Sequence, residues 1–160
     1  MHKIELTPDF KPRRLPEYRI PERLKPEVDR QIQEMLRLGI IQPSNSPMTS
    51  PVVCVLKGPN GKDGVRLTID YRFVNKYTVP DNFPIPNIDD LVQELGNFSW
   101  LSGFDLKSRY WQCGVAEEDR WKTAFICNAN TRHFIRVSFG LRNSASTFCR
   151  AIHIILQRVR

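Results

Sequence analysis

The sequence predicts a mixed α+β fold in which antiparallel strands and hairpins pack with helices. Two pairs of apolar, β-branched runs are each joined by a short Gly/Asn-containing stretch, the pattern of a hairpin. Three other segments repeat apolar residues at helical spacing. Proline-rich breaks separate these units.

The elements follow in chain order. Pro8, Pro12, Pro16, Pro21 and Pro26 are interleaved with Arg13, Arg14, Arg19 and Arg23, and proline at that density blocks helices and ladders, so residues 1–26 form an extended arm. A helix follows from Pro26, with Val28, Ile32, Met35 and Leu36 on one face and Gly39 as its stop. After the break from Pro43 to Pro51, residues 52–57 and 65–70 form the first hairpin, with Lys57, Lys62 and Arg66 around its tip. Asn87 is a helix cap, and Asp89 and Asp90 suit the positive end of the dipole better than they suit a metal. Ile88, Leu91, Val92 and Leu95 are that helix's expected buried stripe. Residues 100–104 read as a buried strand. Residues 121–127 and 133–137 flank Asn128-Ala129-Asn130 as the second hairpin. A last helix begins near Asn143, with Phe148, Ile152, Ile155 and Val159 as its apolar stripe.

The chain has 160 residues, enough for one domain, and a formal net charge of +7. That balance points to an anionic partner, with nucleic acid ahead of a membrane surface; a basic surface kept for solubility is the plain alternative. The charge is uneven: beyond Asp119 there is no Asp or Glu, while eight Lys and Arg residues follow. No apolar run is long enough to span a bilayer, and no signal peptide opens the chain. Cys54, Cys113, Cys127 and Cys149 show no C-x-x-C spacing and make no zinc pattern with His133 and His153, which reads as reduced thiols in an intracellular protein.

Asp105 stands where the strand at 100–104 ends. A carboxylate there is costly unless a positive group meets it. A metal ion is one such group; a turn cap or an Arg partner is the plainer one.

Five ordered motifs sharpen the reading: Asp70-Tyr71-Arg72-x-x-Asn75; Pro84-x-Pro86-x-Ile88-Asp89-Asp90-Leu91; Asp105-Leu106-Lys107-Ser108-x-Tyr110-x-Gln112; Lys122-Thr123-Ala124-Phe125; and Phe139-Gly140-Leu141-x-Asn143 with Thr147-Phe148. In this order and spacing the chain resembles the reverse transcriptase of gypsy-type LTR retrotransposons, from about Leu24 onward. The resemblance implies the fingers (about 27–98) and the start of the palm (about 99–160) of a right-hand polymerase. It implies Asp105 as the first catalytic carboxylate and a ligand of Mg²⁺ or Mn²⁺, whose role in the complete domain is nucleotidyl transfer. It makes Arg66, with Lys57 or Lys62, candidates for the triphosphate of an incoming dNTP. Tyr110 matches the residue under the nucleotide sugar, where a ring excludes a 2′-hydroxyl; Phe139 and Gly140 match a segment near nucleotide and template. Arg72, Arg136 and Arg142 are candidates for contact with an RNA/DNA template-primer. The rest of a Pol polyprotein is the implied covalent context, and the cytoplasm or a virus-like particle the implied location.

The sequence also departs from the family. Arg109 stands where Gly is usual, Ala145 where Pro is usual, and Cys149 where Gln is frequent. No Tyr-x-Asp-Asp occurs, and that motif carries the family's other two catalytic acids. The expectation is a partial polymerase domain that is inactive as this chain alone. The alternative is a non-catalytic, basic nucleic-acid-binding remnant of a decayed element.

Overall fold

The computed structural model describes residues 1–58, 64–84 and 87–157. Helix α1 (Lys25–Arg37) starts with a proline in its first turn, where a missing N–H costs nothing. It buries Val28, Ile32 and Met35, and Gly39 ends it at φ +63. Strands β1 (Ile41–Pro43), β2 (Ser50–Leu56), β3 (Val65–Ile69), β4 (Phe125–Cys127) and β5 (Asn130–Phe134) form one five-stranded sheet in the order β1-β5-β4-β2-β3. Strand β2 runs parallel to β4, with Ser50 opposite Phe125; every other pairing is antiparallel.

The core sits between α1 and the sheet, where Ile32, Met35, Ile41, Val52, Ile69, Phe125 and Phe134 pack together. Helix α2 (Arg72–Tyr77) adds buried Val74, and Tyr71 just before it is also buried. Tyr71 is admitted because its hydroxyl donates to the Thr123 carbonyl at 2.8 Å. Helix α3 (Ile88–Leu95) is capped as its sequence predicts: the Asn87 side chain accepts from the Asp89 backbone N–H at 3.2 Å. Helix α4 (Ser144–Gln157) ends the described chain.

The proline-rich segment holds no helix up to Pro21, but Glu22–Leu24 form a 3-10 turn and α1 begins at Lys25, within the residues 1–26 expected to form an extended arm. It makes only isolated bridges, His2 to Val115, Leu6 to Thr78 and Arg14 to Thr49, because proline interrupts a continuous ladder. Ile4 and Ile20 are buried, and His2 is 2% exposed.

Four further expectations are corrected. Residues 100–104 form no strand and face solvent, with Trp100 93% and Phe104 91% exposed. A strand needs neighbours for its N–H and C=O groups, and none of the described residues offers a ladder there. The α3 stripe of Ile88, Leu91, Val92 and Leu95 has the predicted helical spacing but lies exposed. The second hairpin is shorter and shifted: residues Glu117–Thr123 form a 3-10 helix, and the turn is Asn128-Ala129, both at positive φ. On α4, Ile155 is exposed while Phe148 and Ile152 are half-buried; Val159 lies outside the described residues.

Candidate functional site

The first hairpin carries two of the predicted phosphate-binding cations. Lys57 follows β2, and its backbone N–H donates to the Gly64 carbonyl at 2.8 Å, closing the strand pair. Arg66 lies on β3 opposite Val55 and is exposed. Neither pairs with a carboxylate among the described residues. Lys62 lies outside the described residues.

Lys57 and Arg66 open onto one cleft of about 560 Å³, which Phe139 and Ser108 also line. Tyr110, in the 3-10 helix Arg109–Gln112, does not line the cleft and meets it only through Phe139. Its ring meets Phe139 edge-on at 5.0 Å between centroids and Phe148 of α4 at 6.0 Å. The Arg109 guanidinium lies over the Tyr110 ring at 5.1 Å and near Phe148 at 6.0 Å. Ser108 enters this helix at φ +49, a left-handed conformation that costs roughly 1–2 kcal/mol for a residue with a Cβ.

Gly140 adopts φ +89, and an added Cβ would meet the Ile69 carbonyl oxygen at 3.5 Å and the Tyr71 ring at 3.7 Å. Its carbonyl accepts from the Asn75 side chain at 2.7 Å. Asn75 also accepts from the Arg142 backbone N–H at 2.9 Å. The Asn143 amide donates to the Val79 carbonyl at 2.8 Å. The polar residues of two sequence motifs therefore tie the 138–143 turn to α2 and the loop after it.

The predicted nucleic-acid-binding arginines differ in their surroundings. Arg72 forks onto Asp70 at 2.9 and 2.6 Å, and that hydrogen-bonded pair holds the Asp70 carboxyl down at about 2. The Arg72 side chain is nonetheless 85% exposed. Arg142 donates to the Asn75 and Thr78 carbonyls, both at 3.3 Å. Arg136 is exposed beside its bridge to Gly114.

Asp105 stands apart from this cluster. It is exposed in an irregular segment, and the cleft wall begins three residues later at Ser108. Among the described residues no three His, Cys, Asp or Glu side chains come together to hold a metal ion. Asp89 and Asp90 sit in the first turn of α3, as the capping argument holds. Among the described residues no helix is long and apolar enough to cross a membrane.

Sequence reasoning assigned Trp111 no role, read Arg109 as a departure from pattern close to the nucleotide pocket, and read Phe148 as part of a helical stripe and of the Thr147-Phe148 motif. That Arg109 and Phe148 meet at the Tyr110 ring, while Trp111 packs on Phe139, is a product of the tertiary fold.

The family model for reverse transcriptase (RNA-dependent DNA polymerase) matches residues 55–160. The chain is 41% identical over 133 residues to the retrovirus-related Pol polyprotein from transposon 297 of Drosophila melanogaster, covering 82% of this chain and 13% of that polyprotein. It is 41% identical over 133 residues to the polyprotein from transposon gypsy of the same organism, covering 81% of this chain and 13% of that one. It is 38% identical over 125 residues to the enzymatic polyprotein of cauliflower mosaic virus (strain NY8153), covering 78% of this chain and 18% of that one. Among solved structures, the prototype foamy virus protease-reverse transcriptase superposes with a TM-score of 0.75 at 29% identity, over 93% of this chain and 20% of that one. A foamy viral protease-reverse transcriptase in complex with dsDNA gives 0.77 at 25% identity, over 97% and 30%.

Proposed function

The chain belongs to the reverse transcriptase (RNA-dependent DNA polymerase) family and corresponds to part of a gypsy-type Pol polyprotein, and from that premise we propose that its cleft receives the incoming dNTP. Lys57 and Arg66 take the triphosphate, with Lys62 of the same hairpin as a further candidate. Arg66 grips with a planar fork where a lysine acts as a point charge. Tyr110, with Phe139 and Gly140 beside it, lies under the sugar and excludes a 2′-hydroxyl. Arg72, Arg136 and Arg142 face the template-primer. One observation carries the reading: Lys57, Arg66 and Phe139, three residues far apart in sequence, line a single cleft, and Tyr110 packs on its wall.

The metal site is treated separately. Asp105 is the proposed first ligand of Mg²⁺ or Mn²⁺ in the complete domain. Two divalent ions a few ångströms apart need several carboxylates to offset their repulsion. The described residues do not assemble such a set around Asp105, so they do not fit a two-ion site and no catalytic step is derived from them. The solitary Asp105 favours a second reading in which this chain by itself binds nucleic acid without chemistry. The cytoplasm or a virus-like particle is the proposed location.

Binding without turnover tests the proposal. A fluorescent dATP titrated into the chain is expected to bind, and Arg66→Ala and Lys57→Ala are each expected to weaken it about tenfold, the scale of one charge-assisted contact. Template-primer binding is expected to fall with salt at a log–log slope of roughly −0.9 per phosphate neutralised. Affinity indifferent to both substitutions, or to salt, would overturn the assignment. Primer extension by the 160-residue chain, lost in Asp105→Asn, would overturn the account of the metal site.

A further inference from the structure

The face of the sheet turned away from α1 carries a cluster of hydrogen-bond donors without an anion to receive them. Side chains alternate along β5, so His133 points away from Phe134, which lies beside α1 at the cleft. The Gln42 amide nitrogen lies 2.7 Å from His133 Nε2 and donates to it, so the ring proton sits on Nδ1 and is given to Ser44 Oγ at 2.8 Å. Ser44 Oγ also accepts the Ser46 backbone N–H at 3.2 Å. Both its lone pairs are then used, and its own hydroxyl hydrogen is left to donate. Arg14 stands beside it. The Arg14 guanidinium donates to the Ser46 carbonyl and to Thr131 Oγ1, both at 3.2 Å, and the Thr131 carbonyl accepts the Ser44 backbone N–H at 3.1 Å. Those acceptors are neutral, and the bonds are longer than the roughly 2.7–2.9 Å of a charge-assisted pair. Arg14 is exposed and has no carboxylate partner among the described residues. Arg120, in the 3-10 helix Glu117–Thr123, adds a buried Nε–H with no partner among the described residues, which is an unmade hydrogen bond. Burial and the Arg120 charge hold the His133 imidazole below its ordinary value, and no carboxylate offsets them. Asp119 is turned instead to the Ile4 N–H and Lys122, while Glu117 and Glu118 are exposed and make no ion pair among the described residues.

We propose that Ser44, Arg14 and Arg120 form a binding site for a phosphate group on this outer face, separate from the nucleotide cleft. The donor balance selects the class. A cation finds no free carboxylate there among the described residues, and a neutral ligand leaves two guanidinium charges uncompensated. The donors come from three elements, the arm, the loop after β1 and the 3-10 helix, so they approach from different sides. A tetrahedral oxyanion receives donors on several oxygens at once, and the planar fork of an arginine fits one of its edges. His133 is a positioning residue: it holds the Ser44 oxygen so that the hydroxyl hydrogen is free for the anion. Inorganic phosphate and the phosphodiester of a nucleic-acid backbone both present this chemistry.

The test follows the His133 ring by nitrogen-15 NMR, its signals assigned by their loss in His133→Gln. The free protein is expected to show the neutral ring protonated at Nδ1. A ring protonated at Nε2 spends the Ser44 proton on His133 and overturns the proposal. Inorganic phosphate is expected to shift the ring signals saturably and to raise the imidazole pKa, because a nearby anion favours the imidazolium. Sodium chloride at equal ionic strength is expected to do neither. Arg120→Gln is expected to weaken phosphate binding about tenfold, the scale of one charge-assisted contact. Arg14→Gln is expected to do the same, but it also removes two contacts of the arm, so Arg14→Lys is measured beside it; keeping the charge without the fork, it is expected to bind between wild type and Arg14→Gln. Arg66→Ala bears on the cleft alone and is expected to leave the titration unchanged, so the two sites stand or fall separately. A single-stranded oligonucleotide without terminal phosphates distinguishes the sources. Displacement of phosphate from the His133 signals by the oligonucleotide assigns the site to a backbone phosphodiester, and binding of phosphate alone assigns it to a free phosphate. Ring signals unmoved by both ligands, or moved equally in Arg14→Gln and Arg120→Gln, overturn the proposal.

Discussion

Tyr110 owes its position to its neighbours. It sits in a single 3-10 turn, too short to fix a ring by backbone alone, and Phe139 and Phe148 brace it edge-on from two sides. Such pairs are worth about 0.5–1.5 kcal/mol each. In a complete polymerase carrying this segment, Tyr110→Val is expected to raise ribonucleotide use relative to deoxyribonucleotide. Phe148→Ala is expected to do so more weakly, since the ring remains but is held from one side only. Incorporation ratios measured on the same primer-template decide it, and a ratio unmoved by Tyr110→Val sinks the sugar role. Gly140 makes the complementary case. At φ +89, a region that residues with a Cβ rarely adopt, Gly140→Ala is expected to lower stability by about 1–2 kcal/mol through backbone strain, since the Ile69 and Tyr71 atoms lie at ordinary contact distance from an added Cβ. An unfolding free energy equal to wild type would show that the 138–143 turn relaxes to another conformation.

At the scale of elements, what was legible in the sequence depended on whether an element's partner was legible too. Helix α1 and the β2–β3 hairpin carry pattern, stop signals and partner together, and they form where the spacing predicts. The β4–β5 turn was misplaced because the shifted register depends on Asn128 and Ala129 accepting positive φ, which the acidic Glu17 supports by accepting from both their backbone N–H groups. Apolar spacing gave α3 its helix but could not say what covers it, and residues 100–104 have strand composition without a ladder. For the candidate site the hairpin pattern named Arg66 and the motifs named Tyr110 and Phe139, while the bracing by Phe148 and Arg109 is set by how α4 crosses the 3-10 turn. Contiguous apolar surface of this sort drives association. Val92→Ser with Leu95→Ser is therefore expected to reduce self-association in sedimentation runs without lowering the thermal midpoint, because neither side chain is buried. A clear loss of stability would show that α3 packs onto the body in solution.

For the whole molecule, the arm is the strap that joins distant parts, and its anchor titrates. His2 accepts the Ala116 backbone N–H at its carbonyl and donates its own backbone N–H to Gly114 at 2.7 Å, and its Nδ1 lies 2.7 Å from Thr147 Oγ1 of α4. The Ile4 N–H donates to the Asp119 carboxylate at 2.9 Å, and Lys122 bridges that carboxylate and the Ile4 carbonyl. Burial pulls the His2 imidazole below its ordinary value; the Asp119 and Asp81 carboxylates oppose this, and the N-terminal ammonium adds to it. His133 is lowered as well, by burial first and Arg120 second. The sign follows from linkage. Below the ordinary imidazole value of about 6.5 the unfolded chain takes up protons that the folded chain refuses, so stability is full above that pH and falls as pH drops through the folded values. Each group contributes a slope of up to about 1.4 kcal/mol per pH unit between its two values. The carboxylates paired with arginine do not confuse the window, since Glu27 and Asp70 are held at about 2 and titrate far below it. Thermal midpoints are therefore expected to be level from pH 8 to 7 and to decline by pH 5.5. His2→Gln is expected to lower the midpoint at pH 8, through lost packing, yet to flatten part of the decline. A decline of the same steepness in His2→Gln would place the acid sensitivity elsewhere, with His133→Gln as the next variant to measure, and a midpoint that rises on acidification would contradict the burial of a neutral His2 altogether.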